Sequence, residues 1–345
     1  MGRVNPTVLI QLLMQYHHYN SGQRIFKFTK NNRMKMHRET DDEIKSRRSV
    51  LSEETREIAE SAVRSKLITS LKNQLGKVYV APEMRNIAIP LQMSTAQSGF
   101  GVLPAGSRVK IPEGKKIRAF TYWEKVNDID LSCFGLTKEG YQKEFSWRTM
   151  YNNQGQDITF SGDETSGYNG GSEYFDINLD LFKANHPEFR YVVFCDNVYS
   201  NATFDNCFCK AGFMMRDDKD SGEIYEPKTV STSFKVTGNI RFNYMFAIDL
   251  DRREMVWLNI ARDRMYAVAG EETMDFLMDW MDITDVFNVY DLFRYSGTLA
   301  NIEEASLIVS DYDFGDTGKE QIHSYDYEKI LKYIQPRTVE DELPF

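Results

Sequence analysis

The sequence predicts a mainly β protein, an antiparallel two-sheet β-sandwich with helical N- and C-terminal flanks. Short alternating apolar segments follow one another through the centre of the chain, and turns containing Gly or Pro separate them. The aromatic content of 13% favours β-structure. Helical periodicity is confined to the two ends of the chain. Many short strands with regular turn signals are typical of a sandwich or barrel.

The central strands begin at Lys77, where the apolar pattern changes from helical to alternating. The segment 250–254, Leu-Asp-Arg-Arg-Glu, is typical of a tight hairpin between the last two strands. The predicted strands cover residues 77–80, 88–91, 109–112, 117–123, 128–136, 144–150, 174–181, 190–198, 207–215, 229–236, 241–250 and 254–260.

Amphipathic helices are predicted on both sides of these strands. Residues 6–20 carry an apolar stripe, and Ser52 precedes two acidic residues and a second apolar stripe that extends to Gly76. Past Asp263 a methionine and aromatic stripe is best explained as protein core. The predicted domains are a helical segment at 1–76, a β-sandwich at 77–262, a helical segment at 263–335 and a disordered tail at 336–345.

Composition restricts the classes of partner and location. The formal net charge of -9 argues against nucleic acid as the main partner, and the basic stretch 24–48 is the one region where such contact remains an alternative to solvated charge. No apolar run is long enough for a membrane span, and the start lacks a secretory layout. The sequence therefore predicts a cytoplasmic protein.

The cysteines, whose spacing does not match a zinc or redox motif, are expected to be buried free thiols: Cys133, Cys195, Cys207 and Cys209.

A glycine-rich acidic loop at 161–173 is the stretch around which the candidate chemistry is organised. Its glycines allow tight reversal of the backbone, while Asp163, Glu164 and Glu173 supply carboxylate oxygens. Oxygen-rich loops of this kind suit Ca²⁺, which accepts about six to eight oxygen ligands. An ordinary connecting loop is the alternative interpretation.

The segment Asp128-Ile-Asp-Leu-Ser is the second informative piece. In a strand, Asp128 and Asp130 lie on one face. Two neighbouring carboxylates repel each other unless a cation, a hydrogen-bond donor or water separates them. A solvated edge is the commoner explanation for such a pair taken alone, and the cation hypothesis gains weight only if the pair faces the 161–173 loop.

No enzymatic chemistry is predicted. The chain lacks Gly-x-Ser-x-Gly, P-loop and dinucleotide motifs. The five histidines lie outside the predicted strands. Two further acidic stretches, 217–222 and 313–318, are interpreted as turns.

Several motifs in order resemble a known family. Asp128-Ile-Asp-Leu-Ser, Tyr151-Asn-Asn, Ser161-Gly-Asp and the glycine run to Glu173 look like those of the TerD family of tellurium-resistance and general stress proteins, which are calcium-binding β-sandwiches. The resemblance covers about residues 100–260, and the later segments resemble a longer, multidomain branch of the family.

The resemblance implies a non-catalytic module whose bound Ca²⁺ orders the loop for binding other stress-response proteins. The implied metal ligands are Asp128, Asp130, Asn153, Asp163 and Glu173. The chain departs from the family pattern, because Gly-Ser-Glu-Tyr stands at 171–174 where Gly-Asp-Asp-Glu is typical, and Glu164 stands where Asn is typical. Fewer charged ligands weaken a calcium site, so one weakened site is expected.

Two other functions remain open from the sequence. One is a metal-free β-sandwich scaffold that acts through protein contacts alone. The other is a carbohydrate-binding or hydrolytic sandwich in which Trp123, Trp147 and Trp257 serve as sugar platforms. Buried tryptophan rings would exclude the platform role.

Overall fold

The computed structural model of the chain describes residues 4–17, 25–30, 33–38, 40–46, 51–91, 102–137, 142–150, 155–199, 202–217, 222, 225, 230–239, 241–262, 277 and 280–335. The chain is mainly β, as predicted. It divides into two compact units. The central unit contains residues 27–37 and 108–278, and the terminal unit contains residues 1–26, 38–107 and 279–345.

The described strands are β1 (Ile25–Lys30), β2 (Arg33–Arg38), β3 (Lys77–Val80), β4 (Arg108–Lys110), β5 (Lys116–Glu124), β6 (Ile129–Leu136), β7 (Gln142–Phe145), β8 (Ile158–Phe160), β9 (Gly171–Ile177), β10 (Tyr191–Val198), β11 (Phe208–Arg216), β12 (Val230–Lys235), β13 (Phe242–Asp249), β14 (Glu254–Arg262), β15 (Thr298–Leu299), β16 (Leu307–Val309) and β17 (Glu320–Ile322). The described helices are α1 (Pro6–His17), α2 (Asp41–Ser46), α3 (Glu53–Leu71), α4 (Trp147–Met150), α5 (Leu179–Asn185), α6 (Ile283–Val286), α7 (Val289–Ser296) and α8 (Tyr327–Lys332). None of these helices combines the length and apolar character that a membrane crossing requires.

The central unit contains two antiparallel sheets. Among the described residues one sheet has the order β4-β14-β13-β10-β6-β7 and the other has the order β12-β11-β5-β9-β8. The predicted hairpin between β13 and β14 is confirmed, because Asp249 pairs with Glu254 across it. Alternation of apolar residues within each strand therefore identified most of both sheets.

Side chains of the two central sheets contact each other through a buried aromatic core. The ring of Phe175 in β9 lies 6.2 Å from that of Phe194 in β10, measured between centroids. Phe234 in β12 lies 5.2 Å from Trp257 in β14. The four cysteines are buried and free, as predicted.

The terminal unit contains a parallel sheet of order β15-β3-β16-β17, which the sequence did not predict. Val78 in β3 pairs with Leu307 in β16. β3, the first strand of the predicted 77–262 domain, thus pairs with a strand from the C-terminal part of the chain and lies in the terminal unit. Both predicted flanks contribute to this one unit.

Caps and buried stripes account for the helices of the terminal unit. Ser52 caps α3 as predicted, and its hydroxyl accepts a hydrogen bond from the Thr55 backbone N–H at 3.2 Å. The predicted core stripe is confirmed for the members that the structure describes, since Met281 and Phe293 in the terminal unit and Leu277 in the central unit are fully buried. Met274 and Met278 lie outside the described residues.

Several predicted elements differ from the structure, and one is the predicted strand 88–91, of which only Ala88 forms an isolated bridge, with Asn288. The predicted strand 144–150 is strand β7 followed by helix α4. The predicted strand 174–181 begins earlier and ends at Ile177, because the Asn178 side chain caps α5 by accepting from the Leu181 N–H at 3.1 Å. The predicted helical segment 1–76 also contains the paired strands β1 and β2.

Of the two predicted acidic turns, 313–318 lies within the described residues and most of 217–222 does not. The turn at 313–318 is confirmed: Gly315 and Gly318 have positive φ angles of 72° and 66°, and their N–H groups donate to the carboxylates of Asp313 and Asp316. The predicted tail 336–345 also lies outside the described residues.

Candidate metal site

Asp130 is the second residue of β6, Asp128 immediately precedes that strand, and β6 pairs with β10 in the six-stranded sheet. Asp130 is opposite Asn197 in the register of the two strands, and the Asn197 amide donates a hydrogen bond to Asp130 Oδ2 at 3.1 Å. Ile129 and Leu131 alternate with the two acids and are fully buried. Strand alternation therefore places both carboxylates together, as predicted.

The glycine-rich loop connects β8 to β9 and folds back towards the start of β6. Gly162 and Gly170 have φ angles of 99° and 132°, which are conformations that favour glycine. The Gly167 N–H donates to the Asn127 carbonyl at 2.7 Å, and the Lys125 N–H donates to the Tyr168 carbonyl at 2.8 Å. These bonds join the loop to the residues that immediately precede Asp128.

The acidic strand and the loop converge. One carboxylate oxygen each from Asp128, Asp130 and Asp163 lie within 4.8 Å of one another. This convergence is the arrangement that the cation hypothesis required of the sequence. At such distances the carboxylates repel one another unless a cation or protons neutralise them.

The electrostatics of the cluster reflect this crowding. Burial and the neighbouring Asp130, Asp163 and Glu164 carboxylates raise the pKa of Asp128 to about 7. Burial also raises the pKa of Asp130, against the opposing effect of the Asn197 hydrogen bond and of Arg148. A divalent cation would favour the ionised forms of these carboxyls.

Asp128 also has an unsatisfied hydrogen-bond acceptor. The residue is only 9% exposed, and its Oδ1 atom is buried without a hydrogen-bond partner among the described residues. A buried acceptor without a donor costs free energy, roughly 1–3 kcal/mol, so an unpaired oxygen calls for an ion or a water molecule. The donor set of carboxylate oxygens fits a hard cation such as Ca²⁺.

Glu173 makes contacts that the sequence interpretation did not include. It is 1% exposed, its Oε2 accepts from the Leu131 N–H at 2.8 Å, and its Oε1 accepts from the Glu164 N–H at 3.0 Å. Burial raises its pKa to about 9, although the two backbone donors act in the opposite direction. Glu173 is not part of the converging group of described acids. Asn153, the remaining predicted ligand, lies outside the described residues.

Asp196 is a buried acid that the sequence analysis missed. It is fully buried in β10, where its Oδ2 accepts from the Thr121 hydroxyl of the facing sheet at 2.7 Å. Burial raises its pKa well above the ordinary value. The sequence could have predicted this buried acid, because a single carboxyl group ends the apolar run Val192-Val-Phe-Cys-Asp196 within a predicted strand.

The other candidate residues lie in structural environments. Trp123 and Trp257 are fully buried, which excludes them as sugar platforms, and the Trp147 side chain is outside the described set. His186 packs against the rings of Phe145, Phe182 and Phe189, and its Nε2 lies 3.4 Å from Asp157.

Comparison of the chain with protein-family models, with curated proteins and with solved structures finds no match.

Proposed function

We propose that this chain is a non-catalytic, calcium-binding interaction module whose central unit is a TerD-like two-sheet β-sandwich. The observation that carries the proposal is the convergence of Asp128, Asp130 and Asp163, with one buried and unpartnered oxygen on Asp128. The contacts between the two antiparallel sheets support the sandwich, with Phe175 against Phe194. The resemblance of the motifs to the TerD family supports a role in stress or tellurium resistance, in the cytoplasm.

In the proposed mechanism, the cation neutralises the crowded carboxylates and holds the loop against β6. Asp128 and Asp130 lie at the end of β6 that β10 holds in register through Ile129 and Asp130, whereas Asp163 comes from an exposed part of the loop. A shared cation would therefore reduce the freedom of the loop more than that of the strand. The ordered loop would then present a defined surface to a partner protein.

Few carboxylates favour a weak site. Ca²⁺ accepts about six to eight oxygens, so water or neutral oxygens would complete the coordination of a site built on three carboxylates. We expect a dissociation constant in the range of weaker calcium sites, about 10⁻⁴ to 10⁻³ M.

Calorimetric titration with Ca²⁺ tests the proposal. We expect binding to the unmodified chain, weaker binding of Mg²⁺, and loss of the Ca²⁺ signal in Asp130→Asn and Asp163→Asn. Asp180→Asn is the matched control, because Asp180 is an exposed acid on α5 that contacts Arg253. Absence of heat and of thermal stabilisation at millimolar Ca²⁺ would reject the metal site and leave a metal-free scaffold.

A further inference from the structure

Glu173 connects the two segments that carry the candidate ligands. Leu131, whose N–H donates to Glu173 Oε2, follows Asp130 directly in β6. Glu164, whose N–H donates to Oε1, follows Asp163 directly in the loop. One buried carboxylate therefore contacts the backbone next to a candidate ligand on each side of the site.

The rest of the loop is fixed by close contact with Trp123. A Cβ atom added to Gly167 would lie 2.6 Å from the indole nitrogen, and one added to Gly171 would lie 2.5 Å from the indole ring. The second half of the loop thus rests on a fully buried ring. The first half, which carries Asp163, is exposed, and Glu173 holds its backbone beside that residue.

We propose that Glu173 is a positioning residue of the cation site, which holds Asp163 at the separation from Asp130 that a divalent cation needs. This inference rests on the proposed function. It assigns Glu173 a different role from that of a ligand, because Glu173 lies outside the converging group of carboxylates and its oxygens accept from backbone N–H groups on both sides of that group. The two hydrogen bonds join the loop directly to β6, and loss of either would leave a backbone N–H beside the site without its acceptor.

Glu173→Gln is the informative substitution. The amide keeps the shape of the side chain but places an NH₂ group against one of the two backbone donors. Loss of a group that orients metal ligands typically costs about 10- to 100-fold in affinity, and we expect a loss of that size for Ca²⁺. In cation-free protein we also expect faster hydrogen exchange at the Leu131 and Glu164 amides. A residue that only ligates the metal would not change exchange in the absence of the metal.

Glu254→Gln is the matched control, because Glu254 accepts from buried Arg108 at 2.9 Å in β14, outside the site. We expect it to lower stability without changing Ca²⁺ affinity or exchange at the two amides. Glu173→Asp is a second variant that keeps the charge but is one methylene shorter, and we expect an intermediate loss.

The results of these experiments distinguish the positioning role of Glu173 from the proposed calcium-binding function. Calcium binding that stays within about twofold in Glu173→Gln overturns the positioning role and leaves the proposed function intact. Lost affinity with unchanged amide exchange in chelator also overturns it, because Glu173 would then be a ligand. Failure of the unmodified chain to bind Ca²⁺ rejects the proposed function, and the positioning role with it.

Discussion

Asp128 is buried among other acids, and this makes the cation-free protein sensitive to pH at the scale of a single residue. Its pKa rises from 3.8 to about 7 in the folded chain, mainly through burial and then through the neighbouring carboxylates. The folded state therefore binds this proton more tightly than the unfolded state does. The resulting contribution to stability is complete below the ordinary pKa and is lost as the pH rises through about 7.

We expect the thermal midpoint of the chain in chelator to fall as the pH is raised from 5 to 8. The decline should be shallower in Asp128→Asn, which cannot gain the charge, and Ca²⁺ should restore stability to the unmodified chain at pH 8. Differential scanning calorimetry across this range provides the measurement. Parallel pH profiles for the two proteins would show that Asp128 does not carry the effect.

Arg118 and Asp176 form a buried ion pair across the neighbouring strands β5 and β9. Arg118 Nε donates to Asp176 Oδ1 at 2.7 Å, its second nitrogen donates to Oδ2 at 2.8 Å, and both side chains are fully buried. Asp176→Ala leaves a buried guanidinium without its main acceptor, so we expect a loss of about 3–5 kcal/mol of unfolding free energy.

Urea denaturation followed by fluorescence measures this loss. Asp180→Ala serves as the control, since Asp180 is an exposed acid whose contact with Arg253 is 3.4 Å long. Exposed pairs contribute less than about 1 kcal/mol. Similar losses in the two variants would contradict the assigned importance of the buried pair.

At the scale of an element, the glycine-rich loop depends on the absence of side chains where it meets Trp123. Gly171→Ala would force a methyl group to within 2.5 Å of the indole, and we expect a loss of about 1–3 kcal/mol. Gly162→Ala tests positive φ alone, because no atom lies within 4 Å of the added Cβ. A loss at Gly171 no larger than that at Gly162, measured by urea denaturation, would show that the contact with the ring does not constrain the loop.

The elements that were predicted correctly all depend on patterns of residues close together in the sequence. Alternation revealed most strands of the antiparallel sheets, and the side chain of Ser52 marked the start of α3. The parallel pairing of β3 with β16 was not predictable from local pattern, because more than 200 residues separate Val78 from Leu307.

The candidate site was likewise only partly predictable from the sequence. Spacing placed Asp128 and Asp130 together, and glycine content identified the loop that carries Asp163. The contacts of Glu173 could not be predicted, because sequence gives the residue type but not which backbone N–H groups a carboxylate meets. A predicted ligand thus became a candidate positioning residue once its hydrogen bonds were known.

At the scale of the whole molecule, the division into two compact units separates the candidate metal site from the parallel sheet. Asp128, Asp130 and Asp163 all belong to the central unit, whereas β3, β16 and β17 belong to the terminal unit. Each unit has a buried core of its own, with Phe194 in one and Leu67 in the other. A ligand that binds one folded unit stabilises that unit by mass action.

Scanning calorimetry of the full chain should therefore show two transitions, of which Ca²⁺ raises only one. At a concentration about 100 times the dissociation constant, the gain for that unit is about 2.7 kcal/mol. Asp163→Asn should abolish the shift without moving the other transition. Leu67→Ala, which removes a fully buried side chain of α3 and opens a cavity, should lower only the transition that Ca²⁺ leaves unchanged. A single transition that responds to both substitutions and to Ca²⁺ would contradict this expectation and mean that the chain unfolds as one cooperative unit. Hydrogen exchange at the Leu131 and Glu164 amides would then measure the effect of the cation on the central unit alone.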